Sequence, residues 1–339
     1  MHPLRILFSL IPVISATPLG RKVESGVSLP SHVVYQFPDS PSWIENIAVR
    51  QNGDLLLTML STPELFLLRN PRTKSPELKL VHSFNTLTGL LGIAETTPDV
   101  FITAGGNFSN IAVPIPGTSS VWEVNLRGKN PKVCKVVDIP EAVFVNGMTT
   151  LPWDKNSVLV ADSTLGKIFK VNIRAKTYEL AIDVPEMHMG SDAVVPIGIN
   201  GITIHKGYLY WTNSYYRKIY KVQINKTGGI ATGAKVQTVG SPDVDFLDDF
   251  ALDNNGNIWA TTNGDDELLV VSPQGKVVVA LGSSTELTVA GDTAAAFGRT
   301  KGDEKTLYVV TDGALAAPIN GTITEAGKVV AVDTREFNF

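Results

Sequence analysis

The chain has 339 residues, 43 % of them hydrophobic, a net charge of −4 and a single cysteine. This apolar content can fill a core, while the mild acidity and the lack of a Lys/Arg stripe argue against a nucleic-acid surface. One thiol excludes an intrachain disulfide, and Cys134, flanked by Val133 and Val136, reads as an inert apolar strand residue.

The first element is not fold. Arg5, the apolar run Ile6 to Ile14 and the small pair Ser15-Ala16 read as a secretory signal peptide over residues 1–16. Three sequons, at Asn107, Asn225 and Asn320, agree with a secretory route and are expected glycosylation sites. The expected location is therefore outside the cell or in an endomembrane lumen. No later apolar run is long enough to span a membrane. Residues 17–31 are polar, carry Pro, Gly and Ser, and read as a flexible lead. His32 to Phe37 is a strand standing alone.

From there the chain repeats itself as one domain over residues 32–339. IENIAV begins at Ile44, GLLGIA at Gly89, VFVNGMTT at Val143, INGITIH at Ile199, DDFALD at Asp248 and TAAAF at Thr293. The lead positions Glu45, Gly89, Asn146, Asn200, Asp248 and Ala294 lie 44 to 57 residues apart, with about four alternating strands per unit. That period belongs to an all-β fold, a six-bladed β-propeller, and His32 to Phe37 is expected to complete the last blade. Short turns such as Gln51-Asn52-Gly53, His205-Lys206-Gly207 and Asn254-Asn255-Gly256 then share one face. The opposite face, the top, receives three long connections: 105–119, 183–198 and 313–327. They carry Ile111, Val113, Ile115, Met187, Met189, Val194, Val195, Leu315 and Ile319. These either pack on one another as a lid or form an apolar cup over the axis.

Four leads are polar. Glu45, Asn146, Asn200 and Asp248 begin inner strands at the top and should converge on the axis. Their carboxylate and amide oxygens suit a hard cation such as Ca²⁺ or Mg²⁺; the competing reading is turn chemistry at Asn-Gly and Asp-Asp. Beside them, Trp43 and Asn46 are placed to line the cup. Met187 and His188 sit in the second long loop, and Tyr215 and Arg217 at the tip of blade four. Asp245, Asp248 and Asp249 form an acidic cluster in which like charges could hold one carboxyl protonated. Nucleophile-elbow, zinc, P-loop and dinucleotide motifs are absent.

From Pro30 to Glu336 the chain resembles the SMP-30/gluconolactonase/LRE-like family of six-bladed propellers, which hold one divalent metal on the axis. Glu45 matches the acidic first ligand, Asn146 and Asn200 the two Asn-Gly leads, and Asp248 with Asp253 the Asp-Gly lead. Here Glu45 is followed by Asn46-Ile47 and Asp248 by Asp249. ENIAVR and KIYKV are similar to a fungal subgroup that includes hetero-Diels–Alderases, which join a tropolone o-quinone methide to a humulene-type terpene. The resemblance implies an enzyme acting on small lipophilic substrates without a required cofactor. Asp248, Asn200, Tyr215 and His188 are its candidate catalytic groups, and Trp43, Glu45, Asn46, Asn146, Met187 and Arg217 its candidate substrate contacts. The alternatives are a metal-dependent lactonase using Glu45, Asn146, Asn200 and Asp248, and a non-catalytic ligand-binding propeller.

Overall fold

A computed structural model describes residues 28–339; the expected signal segment 1–16 and residues 17–27 of the lead lie outside the described residues. Six four-stranded antiparallel sheets follow one another. Their inner strands are Ile44–Val49, Gly89–Thr97, Val145–Leu151, Ile199–His205, Phe250–Leu252 and Asp292–Phe297. Each packs beside the inner strands of both neighbouring sheets, so the six blades close into a ring.

The apolar pattern explains the radial order. Second strands such as Leu55–Met59 (LLLTM) and Ile258–Ala260 (IWA) are buried along their whole length. They lie wedged between adjacent blades and so read as continuous apolar runs. Outer strands such as Thr177–Asp183 (TYELAID) are mostly exposed or half-buried. The core is accordingly six wedges, one at each blade–blade interface, without a single centre. In the wedge between blades three and four, Trp211 stacks on Tyr220 at 5.4 Å. Truncating a fully buried tryptophan of this kind costs about 3–5 kcal/mol.

The ring closes by strand pairing, as expected. Ser31–Gln36 pairs antiparallel with Lys328–Asp333, from Ser31 opposite Val332 to Gln36 opposite Lys328. The strand starts one residue earlier than expected, and Phe37 still donates its N–H to Gly327. The expected flexible lead needs a correction at its C-terminal end: Leu29 packs in the wedge between blades five and six and donates to the Ala280 carbonyl. Cys134 is also corrected, since it lies exposed on the outer strand of blade two. No helix among the described residues is long and apolar enough to cross a membrane.

The top of the ring has a repeated device. In five blades the inner strand pairs out of register just at its start: Ile44/Asn46, Leu90/Ile93, Val145/Met148, Ile199/Ile202 and Asp292/Ala294. Such bulges bend a strand and re-aim its side chains. The glycines of the two Asn-Gly pairs belong to these bulges and not to turns. A Cβ on Gly147 would lie 2.4 Å from the Asn200 carbonyl oxygen, and one on Gly201 would lie 2.1 Å from Asp249 Oδ1. They are glycine because neighbouring inner strands approach too closely for a side chain. Threonines then stitch the blades together: Thr212 donates to Asp248 O (2.6 Å), Thr261 to Thr293 O (2.8 Å) and Thr293 to Ile44 O (2.6 Å).

Candidate active site

The bulged strand starts surround a cavity of about 250 Å³ at the top of the axis. Its floor is polar and its walls are apolar. Glu45, Asn146 and Asn200 come from three inner strands, Asp248 from the segment just before the fifth, Phe250–Leu252, and Asn263 from the loop after the second strand of blade five. Two residues before three of these leads stand Trp43, Phe144 and Phe246, all of which line the cavity. The same two-residue spacing recurs in three blades, so each of these leads brings an aromatic wall with it. Leu60, Ala112, Val195, Ile197, Ala316 and Ala317 complete the enclosure.

The floor is bonded laterally. Trp43 Nε1 donates to Glu45 Oε2 (2.7 Å), Asn146 Nδ2 to Asn200 Oδ1 (2.9 Å), and Asn200 Nδ2 to Ser214 Oγ (3.1 Å). Ser214 in turn donates to the Leu247 carbonyl (2.6 Å), which fixes the Asn200 amide. These bonds orient side chains that would otherwise sample several rotamers.

The electrostatics are one-sided. Burial raises Glu45 from its ordinary 4.5 to about 8, the bond from Trp43 opposing and the charges of Asp312 and Asp249 adding to it. Burial also pushes Asp248 well above its usual range, reinforced by Glu45, Asp249 and Asp292 and partly offset by the Asn200 amide. Asp249 rises to about 6 and Asp312 to about 7, both mainly through burial. No Lys or Arg is among the groups acting on these four. Burial therefore biases Glu45 toward the neutral acid at neutral pH, able to donate as well as accept, and shifts Asp248 in the same direction.

The predicted residues divide. Trp43, Glu45, Asn146, Asn200 and Asp248 meet in the cavity. Asn46 does not line it: its amide donates to Asp249 Oδ2 (2.8 Å), tying blade one to blade five. Tyr215 and Arg217 line a separate surface groove of about 510 Å³, where the Tyr215 hydroxyl donates to Asp192 Oδ1 (2.5 Å). Met187 is fully buried in the wedge between blades three and four and cannot touch a ligand in the cavity. His188 is held by Asp183 (2.7 Å) at the surface, so its expected role as a proton carrier has no geometry here. Asp245 is exposed, whereas Asp248 is buried and Asp249 half-buried.

The long loops form both a lid and a cup. Ile111, Ala112 and Leu315 pack on the cluster of Trp43, Leu60, Leu91, Phe144 and Ile197, whereas Val113, Ile115, Val194 and Val195 remain exposed. Asp292, Asp312 and Asn263 escaped sequence reasoning. Asp292 opens the sixth inner strand two residues before the expected lead Ala294. It is fully buried, and its Oδ2 has no hydrogen-bond partner. The aromatic-x-polar spacing of Trp43-x-Glu45, Phe144-x-Asn146 and Phe246-x-Asp248 is the signal that could have found the walls.

A divalent cation is compatible with the donor chemistry. Glu45 and Asp248 offer carboxylates whose mutual repulsion a cation would relieve, and Asn146 and Asn200 offer amide oxygens. Among the described residues no group of three or more His, Cys, Asp and Glu is arranged to hold a metal ion, so the two amides would have to complete the set.

The family model described as "SMP-30/Gluconolactonase/LRE-like region" matches residues 188–313. The protein named "Putative hetero-Diels-Alderase asR5" of Sarocladium schorii is 30 % identical over 92 % of this chain and 85 % of its own length. A "Putative hetero-Diels-Alderase" of a Phoma species is 31 % identical over 86 % and 89 %. Among solved structures, a regucalcin from Agrobacterium tumefaciens superposes with a TM-score of 0.62 at 13 % identity, over 91 % of this chain and 96 % of that one. Six blades closed by an N-terminal strand, polar leads on the axis and these relatives agree: the chain belongs to the SMP-30/gluconolactonase/LRE-like propeller family, in the fungal branch of the hetero-Diels-Alderase relatives.

Proposed function

We propose that the protein is an enzyme catalysing a hetero-Diels–Alder cycloaddition in the axial cavity, between an oxygenated heterodiene and an apolar alkene. A tropolone o-quinone methide and a humulene-type sesquiterpene are the proposed pair. The observation that carries this reading is an aromatic-walled cavity whose floor holds two buried carboxyls, Glu45 and Asp248, which desolvation biases toward the neutral acid. A cycloaddition needs two apolar reactants held in one orientation, which can supply several kcal/mol, up to ~7–11 in favourable cases. Glu45 accepts from Trp43 through Oε2, which leaves its protonated oxygen to donate to the carbonyl oxygen of the heterodiene. That bond strengthens as charge builds on the oxygen, so it favours the transition state over the ground state. Asp248 is the second acid, suited to help expel water from a hydroxymethyl precursor. No cofactor is required in this scheme. The apolar N-terminal segment and the sequons support a secretory location, with Asn225 and Asn320 exposed and Asn107 half-buried.

The test generates the quinone methide in situ, adds the terpene, and compares adduct yield and isomer ratio with and without protein. Wild type should enrich one stereoisomer. Glu45→Ala should lower the rate by about 10²-fold, the usual loss for one positioned donor, while Glu45→Gln, which keeps a donor, should retain most of it. An isomer ratio identical to the uncatalysed one would remove the reading.

The convergence of Glu45, Asn146, Asn200 and Asp248 also supports a second reading, a metal-dependent lactonase. These four residues would hold a Ca²⁺ or Mg²⁺ ion, and the ion would polarise a lactone carbonyl when bound. Elemental analysis after exhaustive dialysis, with lactone turnover before and after chelation, separates the two.

A further inference from the structure

We infer that Asn263 sets the specificity of the axial cavity: its side-chain oxygen accepts a hydrogen bond from a hydroxyl of the carbonyl-bearing reactant, so the site selects a hydroxy ketone over a plain ketone. This rests on the cycloaddition reading, in which Glu45 holds the carbonyl, and adds what the reactant carries beside it.

The backbone of Asn263 is fastened in an uncommon conformation. The residue opens the turn of 3-10 helix Asn263–Asp265 at φ +51, in the left-handed region that most side chains avoid and Asn tolerates. Its N–H and that of Thr262 donate to Asp292 Oδ1 (3.1 and 3.2 Å), and its carbonyl accepts from Asp266 N–H (3.2 Å). The residue is buried, yet it is a wall of the cavity.

The bonds on its side chain decide which end of the amide a ligand meets. Asn263 Nδ2 donates to Asp312 Oδ2 (3.3 Å), and the other oxygen of that carboxyl accepts from Leu315 N–H (3.0 Å). Asn263 Oδ1 has no protein partner, and it is not sealed in the protein. Among the described residues, the buried side-chain polar atoms without a partner are Ser163 Oγ, His205 Nε2 and Asp292 Oδ2. The oxygen is therefore the end open to the cavity, and an amide oxygen can only accept. Asn200, by contrast, is bonded at both ends, its oxygen to Asn146 and its nitrogen to Ser214. At about 250 Å³ the cavity is small enough for one ring to lie against both Glu45 and Asn263. A ligand with only a carbonyl leaves the Asn263 oxygen unpaired in an apolar space, and a hydroxyl next to that carbonyl satisfies it. A tropolone carries this pair of groups on one ring.

The experiment is ligand binding by saturation-transfer NMR with cycloheptanone and 2-hydroxycycloheptanone, which differ by one hydroxyl. It is run above pH about 7, where Asp312 is ionised and accepts from the amide, and in EDTA, so that no cation supplies the preference. Wild type should bind the hydroxy ketone about tenfold more tightly, and 2-methoxycycloheptanone, which has no donor, no better than cycloheptanone. Asn263→Gly, which suits the left-handed backbone, should abolish the preference while cycloheptanone binding stays within about twofold, which also shows that the variant folds. A wild type indifferent to the hydroxyl would overturn the inference without recourse to any variant. So would a preference that survives Asn263→Gly, which would assign the hydroxyl to another acceptor such as Asn146. A preference that depends on Asn263, in a protein that yields no adduct from the quinone methide, would uphold the inference and remove the cycloaddition.

Discussion

Neutralising one buried carboxyl at the top of the ring should flatten the pH dependence of stability. Asp312 accepts from Leu315 N–H (3.0 Å) and from the Asn263 amide (3.3 Å), yet burial outweighs both and lifts it from 3.8 to about 7. The unfolded chain releases this proton near 3.8 and the folded chain holds it to about 7. Between those values the folded state binds more protons, so stability falls as pH rises, and the loss levels off above about 7. At about 1.4 kcal/mol per pH unit, roughly 4 kcal/mol disappears across the window. Asp249 and Glu45 are raised for the same cause and add loss of the same sign. Asp312→Asn removes one of these titrations. It also disturbs the contact with Asn263, but that cost is independent of pH and moves the whole curve without changing its slope. Urea unfolding followed by tryptophan fluorescence at pH 5, 6, 7 and 8 should show the variant losing less stability than wild type, by about 2–3 kcal/mol over the range. Parallel curves for the two proteins would refute the argument that burial, not pairing, governs these carboxyls.

Four further outcomes are expected. Gly201→Ala places a Cβ 2.7 Å from the Asp249 Cα and should lower the urea midpoint by an amount worth about 2 kcal/mol or more. Removing residues 1–37 strips the edge from Lys328–Asp333; light scattering should then show self-association, because an open strand edge pairs with other chains. Cycloaddition rate should fall as pH rises through about 8, where Glu45 ionises, and Glu45→Gln should abolish that dependence. Trp43→Ala should broaden the isomer ratio of the adduct, since it deletes an aromatic wall; an unchanged ratio would exclude Trp43 from positioning either reactant.

Much of the ring was legible because its construction is periodic in the chain. Alternating strands recur in every blade, with Asn-Gly leads in two of them and short Asn/Gly turns in several, and these local signals agree with one another. The lone strand near the N-terminus was readable for the complementary reason, that the last unit lacked an outer strand. Blade six shows where such reading slips. Its inner strand opens VAGDTAAAF, with small residues in place of an Asn-Gly pair, and by register Thr293, not Ala294, stands where Glu45 stands in blade one. The bulge between Asp292 and Ala294 hides that one-residue offset from a reading of the alternation alone.

The site was less legible than the ring because residue type does not report direction. Met187 and His188 are adjacent in the second long loop, yet one is sealed in a wedge and the other is held at the surface by Asp183. Their fate is set by the turn of 3-10 helix over Pro185–Met187, which no composition signal announces. The polar quartet was found because strand starts in a propeller must face the axis, and its chemistry then followed from burial. The carboxyls that read as metal ligands, Glu45 and Asp248, are shifted toward the protonated form by burial in a cavity walled by Trp43, Phe144 and Phe246. Desolvation has the same sign for every carboxyl here. A cation would reverse it by favouring ionised Glu45 and Asp248, and a carbonyl-bearing reactant would exploit it by accepting their protons in hydrogen bonds. The two readings of the site thus make opposite demands on the same two side chains, and the protonation state of Glu45 at neutral pH decides between them.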